Sequence, residues 1–402
     1  MSHGGASAPL CCVLFSGPAS EAVACVAPTE TRAVQTFPMR RPETPTVLKG
    51  RGTTAQPANR FAKARTEAVD DGWEVPHWYD SDGEASSHPL TQVTDERARI
   101  IISRNGSPDI GFGQSINPYR GCEHGCVYCF ARPTHAYLDL SPGLDFETRL
   151  YAKANAAERL RVELSKPRYQ CSPIALGINT DAYQPIERRY KITRSLLEVL
   201  AETHHPVGLI TKSALVERDL DLLVPMAKEG LVTVYFSITT LDNHLASKME
   251  PRASAPHRKL KAMRSLRDAG VPVGVMVAPV IPAITDPELE TILEAARDAG
   301  AGAAGYVLLR LPHELKELFR DWLAQRFPER AEHVMSLIRQ MHGGKDYDAT
   351  FGKRMRGEGP FAQLLQRRFS LAYARLGFGR LPPLRCDLFV PPARPSPQGN
   401  LF

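Results

Sequence analysis

The chain has 402 residues, 43% of them hydrophobic and 23% charged, with a net charge of +6. That suffices for a sizeable core in one large or two ordinary domains, and the mild positive charge permits an anionic partner without requiring one. No uninterrupted run of about 18 apolar residues occurs, and no basic start with a compact apolar run opens the chain, so neither a membrane span nor an export signal is expected.

Residues 1–38 are rich in Ala, Ser, Pro and Val without periodicity and are expected to be disordered. A physiological start at Met39 is the alternative, which leaves Cys11, Cys12 and Cys25 without a role. Residues 39–109 read as a polar N-terminal arm. In it, Lys49-Gly50-Arg51-Gly52 is a flexible glycine turn on a solvated arm, or an anion contact through its backbone and Arg51. Trp73 and the pair Trp78 and Tyr79 are expected to dock this arm as aromatic anchors.

Short apolar runs then alternate with amphipathic stretches, the pattern of parallel βα units. Strands are expected at 115–117, 173–178, 207–211, 232–238, 271–280 and 306–309. Helices are expected at 146–165 (with Leu150, Leu160 and Leu164 among its apolar positions), 192–204, 218–228, 257–269 and 287–299. Gly270 and Gly300 stop the last two, and Thr285 or Asp286 caps the last. The fold class expected over 110–312 is α/β, an open or partial (β/α)6 TIM-like barrel, with a doubly wound sheet as the competing arrangement. In either, polar residues at the C-terminal ends of strands are the candidates for function. Residues 313–380 form a C-terminal helical extension with helices at 314–327, 329–342 and 361–376. Its basic, glycine-rich segment 343–359, with Lys345, Lys353, Arg354 and Arg356, is a phosphate-contacting loop or a solvated one. Residues 381–402 are an irregular, proline-rich tail.

Chemistry concentrates between Gly121 and Cys129, where Cys122, Cys126 and Cys129 stand in a C-x3-C-x2-C spacing. The eight cysteines do not form a disulfide-like framework. Clustered cysteines in a chain this long point to metal or redox work in a reducing cytoplasm. Three thiolates can hold three irons of a cubic cluster. Ferredoxin-type clusters use four cysteines, so one iron stays open here. An open iron can take a ligand such as the amino and carboxylate groups of S-adenosylmethionine, and electron transfer could cleave that molecule to a carbon radical. Structural zinc, with His124, His135 or Cys171 as fourth ligand, is the alternative.

The string Cys122-x3-Cys126-x-Tyr128-Cys129 resembles the signature of the radical S-adenosylmethionine superfamily, and the resemblance extends over about 113–311. Asn179-Thr180-Asp181, Thr211-Lys212-Ser213, Phe236-Ser237-Ile238, Met249-Glu250-Pro251-Arg252 and Val277-Ala278-Pro279 are similar to the branch that contains spore photoproduct lyase and relatives labelled DNA repair photolyase. The 49–52 turn and the segment from Ile116 to Cys122 resemble a bacterial subgroup of unassigned substrate. The resemblance implies a partial (β/α)6 barrel and a [4Fe–4S] cluster on Cys122, Cys126 and Cys129. It also implies reductive cleavage of S-adenosylmethionine to a 5′-deoxyadenosyl radical, with an external electron donor of flavodoxin or ferredoxin type.

By the same resemblance, Tyr128 belongs to the catalytic loop, and Asn179, Thr180 and Asp181 occupy the place of the superfamily's amino-group motif. Thr180 offers a backbone or hydroxyl contact, and Lys212 is a partner for the cofactor carboxylate. Ser237 and Thr239 offer hydroxyls, Ala278 and Pro279 flank the adenine, and Arg252 contacts an anion or caps a loop. One departure stands out. Spore photoproduct lyase uses a cysteine at the end of its second strand as hydrogen-atom donor, whereas Ile178 stands there in this chain. Phe130, after the last cysteine, has no phenol, which leaves Tyr128 and Tyr183 as the nearby ones. His204 and His205 sit at a helix end, where a cation suits the dipole. His313 and Glu314 follow the sixth strand and are candidates for substrate contact. Three functions remain open: a radical enzyme of unknown substrate, the same fold acting on damaged DNA, and a zinc-stabilised, non-catalytic nucleic-acid-binding protein.

Overall fold

In the computed structural model of the chain, the residues described are 50–61, 78–79, 85–86 and 90–393. The expectations for 1–38, a start at Met39, Lys49, docking by Trp73, Trp78 and Tyr79 side chains, and the tail beyond 393 lie outside what is described.

A seven-stranded sheet carries the fold. Its strands are β1 (Ser103–Arg104), β2 (Gln114–Ile116), β3 (Ile174–Leu176), β4 (Val207–Thr211), β5 (Val232–Ser237), β6 (Val273–Val280) and β7 (Ala303–Leu308). They lie side by side in chain order, parallel from β2 to β7, with β1 antiparallel on the outer edge of β2. A doubly wound sheet must reverse its order at a switch point. This one never reverses, so it is a partial barrel, left open between β1 and β7. The strands read as apolar runs because both faces are covered: in β5 every residue is buried except half-buried Tyr235.

The helices are α1 (Ala156–Leu164), α2 (Ile192–Glu202), α3 (Leu220–Lys228), α4 (Pro256–Asp268) and α5 (Leu289–Asp298). In α2, Ile192, Leu196, Val199 and Leu200 form one buried stripe at i, i+4, i+7 and i+8. Each fully buried Leu in it contributes about 1.5–3 kcal/mol. Proline opens α4 at its first position, and Gly270, at φ +86°, ends it. Three further helices, α6 (Leu315–Arg326), α7 (Ala331–Met341) and α8 (Gly359–Arg375), follow the barrel. Phe319, Trp322 and Ile338 of α6 and α7 share an apolar cluster with Val127 and Met249, so these helices pack beneath the cysteine loop.

Two expectations are corrected. Residues 146–165 are not one helix. A short turn of helix, Asp145–Thr148, gives way to a strand, Arg149–Lys153, before α1 begins. Leu150 and Ala152 are buried while Arg149 is exposed, a period of two. The strand pairs in parallel with Gln92–Glu96 and antiparallel with Tyr119–Arg120, forming a separate three-stranded sheet. The capping of α5 also differs. A 3-10 turn, Asp286–Glu288, precedes it, and the Thr285 hydroxyl and Asp286 carboxylate accept from the amides of Ile281 and Ala283 instead.

Candidate active site

The cysteine loop follows β2 and is built around a buried ion pair. Arg132, fully buried, donates to the carbonyls of Cys126 (2.8 Å), Gly125 (3.1 Å) and Gly143 (2.9 Å), and pairs with Glu147 at 2.5 Å. Glu147 also accepts the Gly52 amide at 2.9 Å, and its carbonyl accepts from Arg51 at 3.0 Å. The turn is thus not an open anion site: Gly50 is exposed, but Arg51 and Gly52 are buried against the loop. A Cβ on Gly52 would stand 1.7 Å from the Gly125 oxygen, and Gly125 itself has φ +67°. Only glycines allow these two backbones to approach so closely. Gln184 closes the loop's other side, accepting from the Glu123 amide and donating to Gly121 O. Arg252 pairs with Glu123 at 3.2 Å, and its amide donates to His124 O, so it caps the loop.

All three thiols line one wall of a cavity of about 570 Å³ at the C-terminal ends of the barrel strands. That volume suits a small-molecule ligand. Cys122 and Cys126 are buried, Cys129 is half-buried, and none is in a disulfide. Burial pushes each thiol up, Cys126 to about 12, so a thiolate here calls for a strongly cationic partner. Among the described residues no three His, Cys, Asp or Glu side chains are gathered to hold a single metal ion. A cubic cluster does not ask for that, because each thiolate binds its own iron. The donor set therefore fits the polynuclear group. Of the candidate fourth ligands for zinc, His124 lines the cavity, with Nδ1 3.5 Å from Asp181, and burial lowers its pKa. His135 lies outside the lining and bonds Arg149 O, and Cys171 neighbours Cys386 instead.

The opposite wall is made of strand ends. After β3 come Ile178, Asn179 and Asp181, after β4 Lys212, and from β5 and β6 Ser237 and Ala278; all of these line the cavity. Asp181 accepts from the Thr211 hydroxyl and from the amides of Tyr183 and Lys212. Asn179 and Thr180 donate their amides to the Asn117 side chain. Thr180 and Thr239 are buried behind the lining. The Thr180 hydroxyl donates to Tyr119 O, and that of Thr239 joins a buried charge group. Tyr183 is fully buried in the barrel core, away from the cavity.

That charge group was not legible in the sequence. Lys212 Nζ donates to Ser237 (2.8 Å), Thr239 (3.3 Å) and the Ala278 carbonyl (3.3 Å), and lies 3.3 Å from the Glu250 carboxylate. Glu250 also binds Lys259 and the Tyr128 hydroxyl. Burial alone would raise the Glu250 pKa, but Lys212 and Lys259 prevail and hold it at about 2. For Lys212, burial opposes the charge, while Glu250 and Cys126 favour it and raise the pKa. Two ammonium groups thus share the Glu250 carboxylate beside the thiols, and Asp181 is the next acid to Lys212. Glu250 stood in the Met249–Arg252 string without a role assigned to it, whereas Arg132, Glu147 and Lys259 were missed because each matters through a side-chain partner that no motif spells out.

Most of the remaining candidates have structural partners. His204 pairs with Glu229 at 2.6 Å, and buried His205 meets the Tyr169 hydroxyl at 2.7 Å. Glu314 pairs with Arg60 at 2.9 Å, and His313 precedes it at φ +50°. In the 343–359 segment, Arg354 is held by Asp109, Lys353 by Glu358, and Arg356 lies 4.3 Å over the Tyr306 ring.

Comparison with known proteins agrees with this layout. Residues 116–296 match the radical SAM superfamily. The uncharacterized protein Rv2578c of Mycobacterium tuberculosis is 39% identical over 233 residues, covering 57% of this chain and 68% of that protein. The uncharacterized protein MJ0683 of Methanocaldococcus jannaschii is 26% identical over 219 residues, 54% of this chain and 78% of that one. Among solved structures, spore photoproduct lyase complexed with dinucleoside spore photoproduct aligns with a TM-score of 0.51 over 71% of this chain and 80% of its own, at 16% identity. That likeness shows a shared fold. By its matched core and its relatives, the chain belongs to the radical SAM superfamily of enzymes.

Proposed function

We propose that this enzyme holds a [4Fe–4S] cluster on Cys122, Cys126 and Cys129, binds S-adenosylmethionine against the strand ends, and abstracts hydrogen from a substrate held in the same cavity. The observation that carries the reading is the cavity itself: three free thiols on one wall face Lys212, Ser237 and Ala278 on the other. When bound, the cluster supplies the electron that cleaves S-adenosylmethionine to a 5′-deoxyadenosyl radical, drawing on an external flavodoxin- or ferredoxin-type donor.

The chain's own residues do the rest. Lys212, which shares Glu250 with Lys259 and lines the cavity, favours a carboxylate at its end of the wall. Asp181 fixes the Lys212 backbone from below, and Ser237 and the Ala278 carbonyl fix its Nζ. Asn179, exposed and in the cavity lining, offers its side chain to the cofactor's polar groups. Tyr128, hydrogen-bonded to Glu250 and Thr239, keeps the segment between Cys126 and Cys129 from collapsing into the barrel. Ile178 and Phe130 line the cavity without any O–H or S–H to return a hydrogen atom, so a lyase cycle that regenerates the cofactor through those two places is not supported.

The test is anaerobic reconstitution, with iron, sulfide and zinc measured per chain, followed by incubation with reductant and S-adenosylmethionine. Iron, sulfide and 5′-deoxyadenosine are expected. Stoichiometric zinc without iron or sulfide would overturn the cluster. No 5′-deoxyadenosine at full cluster content would overturn the radical reaction.

A further inference from the structure

We infer that Arg310 and Arg104 recognise an anionic group, a carboxylate or phosphate, carried by the substrate on an apolar body. The inference rests on the cofactor reading above, which assigns the thiol wall and the Lys212 wall to the cluster and S-adenosylmethionine.

The charged groups of the cavity can be followed one by one. Lys212 faces Glu250. Arg354 is held by both oxygens of Asp109, at 2.8 and 2.6 Å. Asp181, the carboxylate in the lining, already accepts from Thr211, Tyr183 and Lys212. Arg104 and Arg310 remain, and neither has a carboxylate partner among the described residues, although both line the cavity. The Arg310 Nε is buried and has no hydrogen-bond partner. A buried polar group is normally satisfied. Arg104 is exposed and Arg310 half-buried, so the unmet demand lies at the Arg310 Nε, and an anionic ligand would meet it.

Geometry suits that ligand. The Arg310 guanidinium lies 4.6 Å over the ring of Phe130, the residue next to Cys129. The ring holds the planar fork in one orientation, which is what paired hydrogen bonds to a carboxylate or phosphate require. Arg310 follows β7 and Arg104 ends β1, the two edge strands of the open sheet. The anion site therefore spans the gap where the barrel fails to close. The same cavity is lined by Phe112, Ile178, Val307 and Met355, with Ser103, Asn105, Ser107 and Ser115 as its polar residues near Arg104 in the chain. An anionic end and an apolar body are the two features a substrate needs to fill this half of the cavity.

The test is calorimetry on anaerobically prepared holoprotein saturated with S-adenosylhomocysteine, which fills the cofactor place without turnover. The probes are phenyl phosphate, benzoate and neutral benzyl alcohol. One or both anions should bind at least about tenfold more tightly than the alcohol, and Arg310→Met should remove about that factor, the worth of a charge-assisted hydrogen bond. Arg104→Gln should cost less, and Arg310→Lys should restore part of the loss. Melting midpoint and iron content are measured beside each variant to show that it is folded. Equal binding of all three probes, or unchanged affinity in folded Arg310→Met, overturns the inference. Deoxyadenosine monophosphate and a six-residue oligodeoxyadenylate then separate the sources. Equal affinity assigns a free small molecule, whereas tighter, Arg310-dependent binding of the oligomer assigns a nucleic-acid phosphate. If S-adenosylhomocysteine gives no binding heat while the phenyl phosphate result stands, the cofactor reading fails and this inference does not.

Discussion

The two sides of the cavity are built on opposite electrostatic plans. Around the cysteine loop every buried charge has a partner: Arg132 with Glu147, and Lys212 and Lys259 with Glu250. At the mouth, Arg104 and Arg310 line the cavity with no carboxylate of the described chain against them. The closed side can hold its shape before any ligand arrives, because its buried charges are engaged with one another. The mouth keeps charge in reserve. Chemistry common to a large superfamily sits on the first plan, and selection of one substrate would sit on the second.

The comparison can be broken most severely at the thiols. Cys126→Ala should abolish iron and sulfide binding after reconstitution while the far-ultraviolet circular dichroism stays that of the wild type. Next comes the pair beneath them. Glu147→Gln leaves Arg132 buried without its counter-charge, and a loss of about 3–5 kcal/mol is expected in denaturant unfolding, together with poorer iron loading. If stability were unchanged, the pair would not be what shapes the loop.

A third region tests whether acid sensitivity belongs to the site or to the scaffold. His205 is buried far from the thiols, its Nδ1–H donating to Pro206 O, and burial lowers its pKa to about 4. The folded chain keeps it neutral, while the unfolded chain takes up a proton below about pH 6.5. Its contribution is therefore whole above pH 6.5 and is lost as pH falls toward 4, by about 3 kcal/mol at most. Unfolding at pH 7 and pH 5 should show a smaller difference in His205→Phe than in the wild type. The gentlest change is at the mouth. Asp109→Asn frees Arg354, and the 343–359 loop should be cut faster by trypsin with iron content unaltered. A parallel fall in iron content would show that the two sides are not independent.

What was legible in the sequence follows the range of the interactions involved. The 207–211 strand stands where its apolar run ends at Thr211-Lys212, since a strand covered on both faces writes itself as a local pattern. The cysteine trio is legible for the same reason, because its spacing is its function. Leu150 misled because Leu150, Leu160 and Leu164 suit a helix, whereas the strand at 149–153 exists through pairing with Gln92–Glu96, nearly sixty residues away. Lys212 was identifiable from its strand-end position and Glu250 stood in a recognisable string, but their pairing was not legible, because it exists only once the barrel brings the two together. Gly52 read as part of a flexible turn for the converse reason: the backbone it accommodates, at Gly125, is more than seventy residues downstream.

An open barrel has a second difficulty besides an incomplete wall. Its last strand, β7, ends the sheet, and a bare strand edge is a template on which another chain can add. The 343–359 loop occupies part of that edge: the Leu308 amide donates to Met355 O at 3.0 Å, and Arg356 lies over Tyr306. The segment that narrows the mouth thus also serves as a guard against self-association. Shortening it to admit a larger substrate would widen the entrance and bare a sticky edge in the same stroke, so variants of this loop should be selected for solubility as well as for turnover.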